Sequence, residues 1–257
     1  MFIKRRWKNI LENKNYELFQ GNCLELMNSI SDKSIDMILC DLPYGTTKCK
    51  WDIVIPFDRL WEQYNRIIKK NGAILLFGQE PFSSELRLSN LKGFKYDWIW
   101  KKSKSGSAFT AKYRPINKHE IISVFSKNGE KTQYFPQMEE GAPYSRVQKN
   151  QQKINNHKMG FSDEEHLYVN EGVRYPITVL DFPQKWRRQD QLHAAQKPVE
   201  LLEYLIKTYT KENDWVLDNC MGSGSTGVAC KNLHRNFIGI ELDERYFNIA
   251  KERIENK

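Results

Sequence analysis

Apolar residues in this chain gather in short runs, separated by stretches in which they recur every third or fourth position. Tyr16–Phe19 and Ile35–Cys40 read as strands. Leu60, Trp61, Tyr64, Ile67 and Ile68 fall at helical spacing, and Asn71-Gly72 is expected to close that helix. Ala73–Phe77 is continuously apolar, as a strand buried on both faces of a parallel sheet must be. Tyr96–Trp100 and Glu120–Phe125 predict two more strands. Farther on, Lys197-Pro198 opens a helix whose Leu201, Leu202, Leu205, Ile206 and Tyr209 form one stripe, with proline suited to the first turn. Trp215–Asp218 is a strand, and a glycine-rich loop follows it into a helix ending near His234. Asn236–Glu241 is another strand. Asp243 is a good N-cap for a last helix carrying Tyr246, Phe247, Ala250 and Ile254 on one side. Strands alternating with helices predict an α/β domain built on a doubly wound sheet.

The span 133–188 breaks this pattern. It is rich in Gln, Asn, Lys and Pro, shows little periodicity and carries scattered aromatics such as Tyr134, Phe135, Tyr144 and Phe161. An irregular folded lobe is expected there, between a first half at 1–132 and a second at 189–257. At 257 residues the chain suffices for one sizeable core and a smaller lobe. No apolar run approaches the roughly 20 residues of a membrane helix, so no membrane partner is expected. The basic N-terminus, Met1 to Lys8, lacks the apolar stretch of a secretory signal. Five cysteines without CxxC spacing argue against a disulfide framework or a metal site, and point to a reduced, cytoplasmic protein.

Charge narrows the partners. The net charge of +8 suits a polyanion. Basic residues concentrate at Lys101, Lys102, Lys104, Lys112 and Arg114, in a stretch up to Lys118 without an acidic residue. Lys185, Arg187 and Arg188 flank Trp186 in a second cluster. Both are candidate phosphate contacts, as are Lys48 and Lys50 in the segment 45–56.

Two motifs carry candidate chemistry. Asp41-Leu42-Pro43-Tyr44 ends a buried strand in a carboxylate, a rigid turn and an aromatic ring, a set suited to a planar base bearing an amine. Gly222-x-Gly224-x-x-Gly227 follows a strand and precedes a helix, with Glu241 near the distance of a ribose-binding acid. That pattern formally fits an NAD-dependent oxidoreductase. Against it, Asp218 would repel a pyrophosphate but suit a cationic ammonium. The loop also lies so near the end of the chain that N-terminal strands must complete the unit. A sulfonium donor with an amino-acid tail, S-adenosylmethionine, fits better.

Taken in order, these motifs resemble the amino-methyltransferases of DNA in their β-class arrangement, with the catalytic motif before the donor motif. Asp41–Tyr44 resembles the family's Asp-Pro-Pro-Tyr box, His193-Ala-Ala-Gln-Lys197-Pro198 its His-Pro-Thr-Gln-Lys-Pro segment, and the Gly222–Gly224 loop its Asp-Pro-Phe-x-Gly-Ser-Gly. Gly21-Asn22-Cys23-Leu24-Glu25 and Asn117-Lys118-His119-Glu120 resemble two further segments. Leu42 replaces a proline whose carbonyl is what serves. Asn219 and Cys220 replace Pro and Phe, making one apolar wall smaller.

The resemblance implies a permuted, Rossmann-like, mostly parallel methyltransferase fold and transfer of a methyl group from S-adenosylmethionine to the N6 amine of adenine. The base would be flipped out of double-stranded DNA. Asp41, Leu42, Pro43 and Tyr44 would be catalytic. Asn22, Cys23, Asp41, Lys197, Pro198, Asp218, Cys220, Gly222, Ser223, Gly224, Thr226 and Glu241 would hold the donor. The lobe 133–188 would recognise the target, and a homodimer or a paired restriction endonuclease are implied partners. Cytosine N4 methylation, RNA modification and an inactive DNA-binding scaffold are the alternatives.

Overall fold

In a computed structural model of the chain, residues 15–47, 49, 52–103, 111–154, 158–184 and 196–256 are described. They form two compact units, Met1–Phe135 with Thr178–Lys257, and Pro136–Ile177. In chain order the elements are β1 (Tyr16–Gln20), α1 (Cys23–Leu26), β2 (Ile35–Cys40), α2 (Phe57–Ile67), β3 (Ile68–Gly78), α3 (Phe82–Ser89), β4 (Phe94–Lys101) and β5 (His119–Ser126). After them come β6 (Glu139–Glu140), β7 (Tyr144–Ile154), β8 (Lys158–Asn170), β9 (Val173–Arg174) and β10 (Val179–Asp181). The chain finishes with α4 (Val199–Tyr209), β11 (Trp215–Asp218), α5 (Ser225–Asn232), β12 (Asn236–Glu241) and α6 (Glu244–Glu255).

Eight strands form the main sheet in the order β1-β12-β11-β2-β3-β5-β4-β10. Its pairings are parallel except those that β5 makes with β3 and β4. The N-terminal strand β1 thus completes the C-terminal half by pairing with β12, as the permuted order requires.

Alternation along the central strands explains the layering. Met37 and Leu39 of β2, with Ala73, Leu75 and Phe77 of β3, face a core shared with α4, α5 and α6. Ile38 and Cys40, with Ile74 and Leu76, face the opposite core against α1, α2 and α3. Successive side chains of a strand point to opposite faces, so a run apolar at every position must be covered on both. No helix among the described residues is long and apolar enough to cross a membrane.

Two local expectations are corrected. Helix α2 stops at Ile67, and Asn71-Gly72 lie within β3 rather than closing the helix. The pairing of β2 with β3 shifts register between Ile35 and Met37. A Cβ on Gly72 would sit 2.7 Å from the Asp36 carbonyl, so this glycine serves close strand approach, not a helix end. The unit Pro136–Ile177 is shorter at both ends than the span 133–188, and it is not irregular: β7 and β8 form a long antiparallel ribbon, and β6 pairs with β9. A strand such as Tyr144–Ile154, with few apolar residues, carries no period-two hydrophobic signal to read.

Candidate active site

The topology brings chemistry to one edge of the sheet. Parallel strands place the C-terminal ends of β1, β12, β11, β2, β3 and β4 together, and antiparallel β5 brings its first residues to the same edge. The sheet builds outward in two directions from the neighbouring pair β11 and β2, and crevices at such switch points are where α/β sheets bind ligands. A cavity of about 710 Å³ opens there, bordered by Asp41–Tyr44 after β2, Asp218–Ser223 after β11, and Glu241 at the end of β12. The proline turn and the glycine loop therefore share one cavity.

On the β2 side, the Asp41 carboxylate accepts the Tyr44 hydroxyl on Oδ1 at 2.6 Å and the Lys197 ammonium on Oδ2 at 2.5 Å. The Tyr44 ring packs on Phe82 with centroids 4.9 Å apart. After the turn, Asp52 clasps the chain by accepting the Gly45 N–H at 2.8 Å and the Thr47 N–H at 2.7 Å.

On the β11 side, Asp218 is almost fully buried and accepts the Thr226 hydroxyl at 2.6 Å and the Cys220 N–H at 3.1 Å. Burial pushes its carboxyl up to about 7 despite those bonds. Glu241 accepts the Gly222 N–H on Oε2 at 2.8 Å and the Asp243 N–H on Oε1 at 2.9 Å. A carboxylate has about four acceptor positions, so lone pairs remain on both oxygens. Asn22 caps α1 by accepting the Leu24 N–H at 2.9 Å, and it borders the cavity with Cys23 and Cys220.

The raised Asp218 carboxyl makes a stability prediction. Its folded value exceeds the ordinary 3.8 of the unfolded chain, so the fold binds that proton more tightly. Its stabilising contribution is complete below about pH 4 and is lost as pH rises towards about 7. Denaturant unfolding of Asp218→Asn should lack this decline, with wild type losing a few kcal/mol relative to the variant over that window, at roughly 1.4 kcal/mol per unit. Parallel pH profiles for the two proteins would contradict the assignment.

Not every expected residue borders the cavity. Pro198 is buried as the N-cap of α4, and Gly224 lies at the start of α5, with a left-handed φ of 77° and its Cβ position 2.9 Å from the Ala250 methyl. Lys197 does border it, but its ammonium lies on Asp41 and Glu120. Lys102 corrects the sequence reading: it is largely buried and donates to Glu120 at 3.0 Å, so it is not a surface phosphate contact. Lys101 is exposed but pairs with Asp181 at 2.7 Å, a bond that phosphate could displace at little cost. Lys112 and Arg114 are exposed. Lys48, Lys50, Lys104, Lys185, Arg187 and Arg188 lie outside the described residues. Glu120 and Gln79 border the cavity without having been singled out as site residues.

Residues 35–252 match the DNA methylase family that modifies N6 and N4 amines. The chain belongs to that family. The methylase is 27% identical over 268 residues to the type II methyltransferase M2.MboI of Moraxella bovis, across 94% of this chain and 88% of that protein. It is 28% identical over 253 residues to the type II methyltransferase M.HpaI of Haemophilus parainfluenzae, across 93% of this chain and 74% of the relative. Among solved structures, the complex of M1.HpyAVI with SAM superposes with a TM-score of 0.61 at 25% identity, covering 93% of this chain and 98% of the other. The cytosine-N4-specific PvuII DNA methyltransferase reaches a TM-score of 0.68 at 17% identity, covering 94% of this chain and 86% of the other, and shares the fold. Membership of a methylase family removes the nicotinamide reading of the glycine loop.

Proposed function

We propose that this DNA methylase transfers a methyl group directly to the exocyclic N6 amine of adenine, on a base flipped out of double-stranded DNA. The observation that carries the reading is the shared cavity, with the Asp41–Tyr44 turn and the Asp218–Ser223 loop on its walls. S-adenosylmethionine is the methyl donor, and when bound it supplies a methyl group activated by its sulfonium. The residues present suit that molecule. Asp218 is a buried carboxylate whose ionisation burial opposes, and a cationic ligand beside it would stabilise the charge. Glu241 keeps acceptor positions for two ribose hydroxyls, and the Gly222 backbone is tied to it.

The work of the chain's own groups is acceptance, stacking and alignment. An aryl amine is a poor nucleophile because its lone pair is delocalised into the ring. Hydrogen bonds from that amine to the Asp41 carboxylate and the Leu42 carbonyl would favour a pyramidal nitrogen and stabilise the positive charge growing on it. Tyr44 would stack on the base and Pro43 would fix the turn that aims the acceptors. No step requires a cysteine nucleophile. The remainder is alignment of amine and methyl, so that the new nitrogen–carbon bond forms as the donor's carbon–sulfur bond breaks, and loss of one amine proton to Asp41 or to solvent.

Asp41 in the first position of the box supports adenine, since the box of cytosine-N4 enzymes in this family usually begins with Ser. The unit Pro136–Ile177 suits target recognition: it exposes Tyr144 and Tyr168, with the Arg146 guanidinium 5.5 Å from the Tyr168 ring. Such groups read base edges and phosphates. By analogy with the type II methyltransferases it resembles, the modification would protect sites from a cognate endonuclease. Incubation with tritiated donor and unmethylated genomic DNA, followed by nucleoside separation, should place the label in N6-methyladenine. Label in N4-methylcytosine, or only in RNA, would overturn the substrate; DNA retention without donor binding would favour a scaffold.

A further inference from the structure

A row of alternating charges runs inward from the catalytic turn. Lys197 Nζ lies 2.5 Å from Asp41 Oδ2 and 3.2 Å from Glu120 Oε2. Glu120 Oε1 accepts Lys102 Nζ at 3.0 Å and Gln79 Nε2 at 3.3 Å. The Lys197 ammonium also lies 5.0 Å from the Phe77 ring centroid. The Lys197 side chain is 8% exposed and that of Glu120 11%. The four charges sum to zero. Burying such an array costs desolvation that its attractions barely repay, so stability alone is a weak reason for it.

Asp41 supplies a stronger reason. It accepts an amine hydrogen most strongly when ionised, and its carboxyl plane must present a lone pair to the cavity. Burial pushes its carboxyl above the usual carboxylate range, and the Lys197 ammonium pulls the other way. Lys197 engages Oδ2, leaving Oδ1 for the Tyr44 hydroxyl. Each Asp41 oxygen keeps a lone pair, and Oδ1, bonded to a neutral hydroxyl rather than an ammonium, is the better acceptor for an incoming amine. A lysine bound to Asp41 alone would neutralise the acceptor it orients. Shared with Glu120, the same ammonium orients Asp41 and leaves more negative charge on it.

We propose that Lys197 and Glu120 are positioning residues for methyl transfer: Lys197 fixes Asp41 as an oriented carboxylate, and Glu120, held by Lys102, limits how far that lysine neutralises it. The role differs from the donor contact expected for Lys197, and it rests on the reading of Asp41 as the amine acceptor. Among the described residues, the titratable groups facing Asp41 are Lys197 from the turn before α4, Glu120 from β5, Asp218 from β11, and Tyr44 and Cys40 from its own segment.

The test is single-turnover methyl transfer from tritiated donor to DNA across pH, with donor affinity measured by calorimetry, on Lys197→Met, Lys197→Arg and Glu120→Gln of the full chain. Lys197→Met should lower the rate roughly 100-fold, the cost of a misplaced group, with donor affinity within a few-fold. Its acid limb should move to higher pH, because the Lys197 charge no longer opposes burial of Asp41. Lys197→Arg should restore part of both rate and limb. Glu120→Gln, nearly isosteric and chosen in case the lysine variants fail to fold, should move the limb to lower pH while also slowing transfer. Loss that is merely structural would not send the two limbs in opposite directions. A roughly tenfold or greater loss of donor affinity in Lys197→Met with an unmoved limb, or unmoved limbs in both charge-removing variants of an active enzyme, would overturn the positioning role. A wild-type chain that transfers no label would overturn the proposed function itself, and the positioning role with it.

Discussion

Asp41→Ala is expected to reduce methyl transfer by about 10²–10³-fold while donor affinity stays within a few-fold. The separation follows from where the side chain points. Its two carboxylate oxygens meet Tyr44 and Lys197, not the backbone of the glycine loop. In the proposed mechanism, removing it deletes the acceptor that stabilises charge appearing on the amine only as the methyl arrives, and interactions confined to the transition state act on the rate. Lys197 still has Glu120 at 3.2 Å after the change, so no buried ammonium is stranded. The fold should survive. Tritiated single-turnover assays and donor calorimetry on one preparation check both halves of the statement. Donor affinity falling in step with the rate would mean that Asp41 belongs to the donor site instead.

Much of this arrangement was legible in the chain, and the exceptions share a cause. Uniformly apolar strands such as Ile35–Cys40 and Ala73–Phe77 announce a covered sheet, because each of their two alternating sets must meet a different core. The residues ending β2, β11 and β12 could be named because a carboxylate closing an apolar strand is conspicuous. Glu120 was harder to place. It opens an apolar strand instead of closing one, and it reaches the active edge only because β5 runs antiparallel. Nothing in the local pattern of His119–Ser126 states that direction. Lys102 is obscured for the same reason: in a stretch of basic residues it reads as one more surface cation, yet its partner at the sheet edge is Glu120. Its burial depends on a pairing between distant segments. The ribbon of β7 and β8 is not legible in the sequence, because Tyr144–Ile154 carries too few apolar residues to betray a period of two.

On the proposed reading the donor half of the cavity depends most on Glu241, and Glu241→Ala should weaken S-adenosylmethionine binding by about three orders of magnitude. Each oxygen already accepts one backbone N–H, from Gly222 at 2.8 Å and Asp243 at 2.9 Å. The carboxylate thereby joins the end of β12 to the glycine loop while keeping lone pairs for the ribose. Truncation removes two charge-assisted acceptors for the donor, at roughly 1.5–3 kcal/mol each, and releases the loop that shapes the methionine end. Burial already holds this carboxyl above its usual range, against the pull of those N–H groups, so its charge is kept in place at a cost. Glu241→Gln separates the two contributions. The amide keeps one acceptor oxygen, but its NH₂ must face a backbone N–H or turn away, so an intermediate loss is expected. Transfer at saturating donor should recover substantially in Glu241→Gln, because the amine acceptor at Asp41 is untouched. Calorimetry showing wild-type donor affinity in Glu241→Ala would remove Glu241 from the donor site and leave it only the backbone bonds that join β12 to the glycine loop.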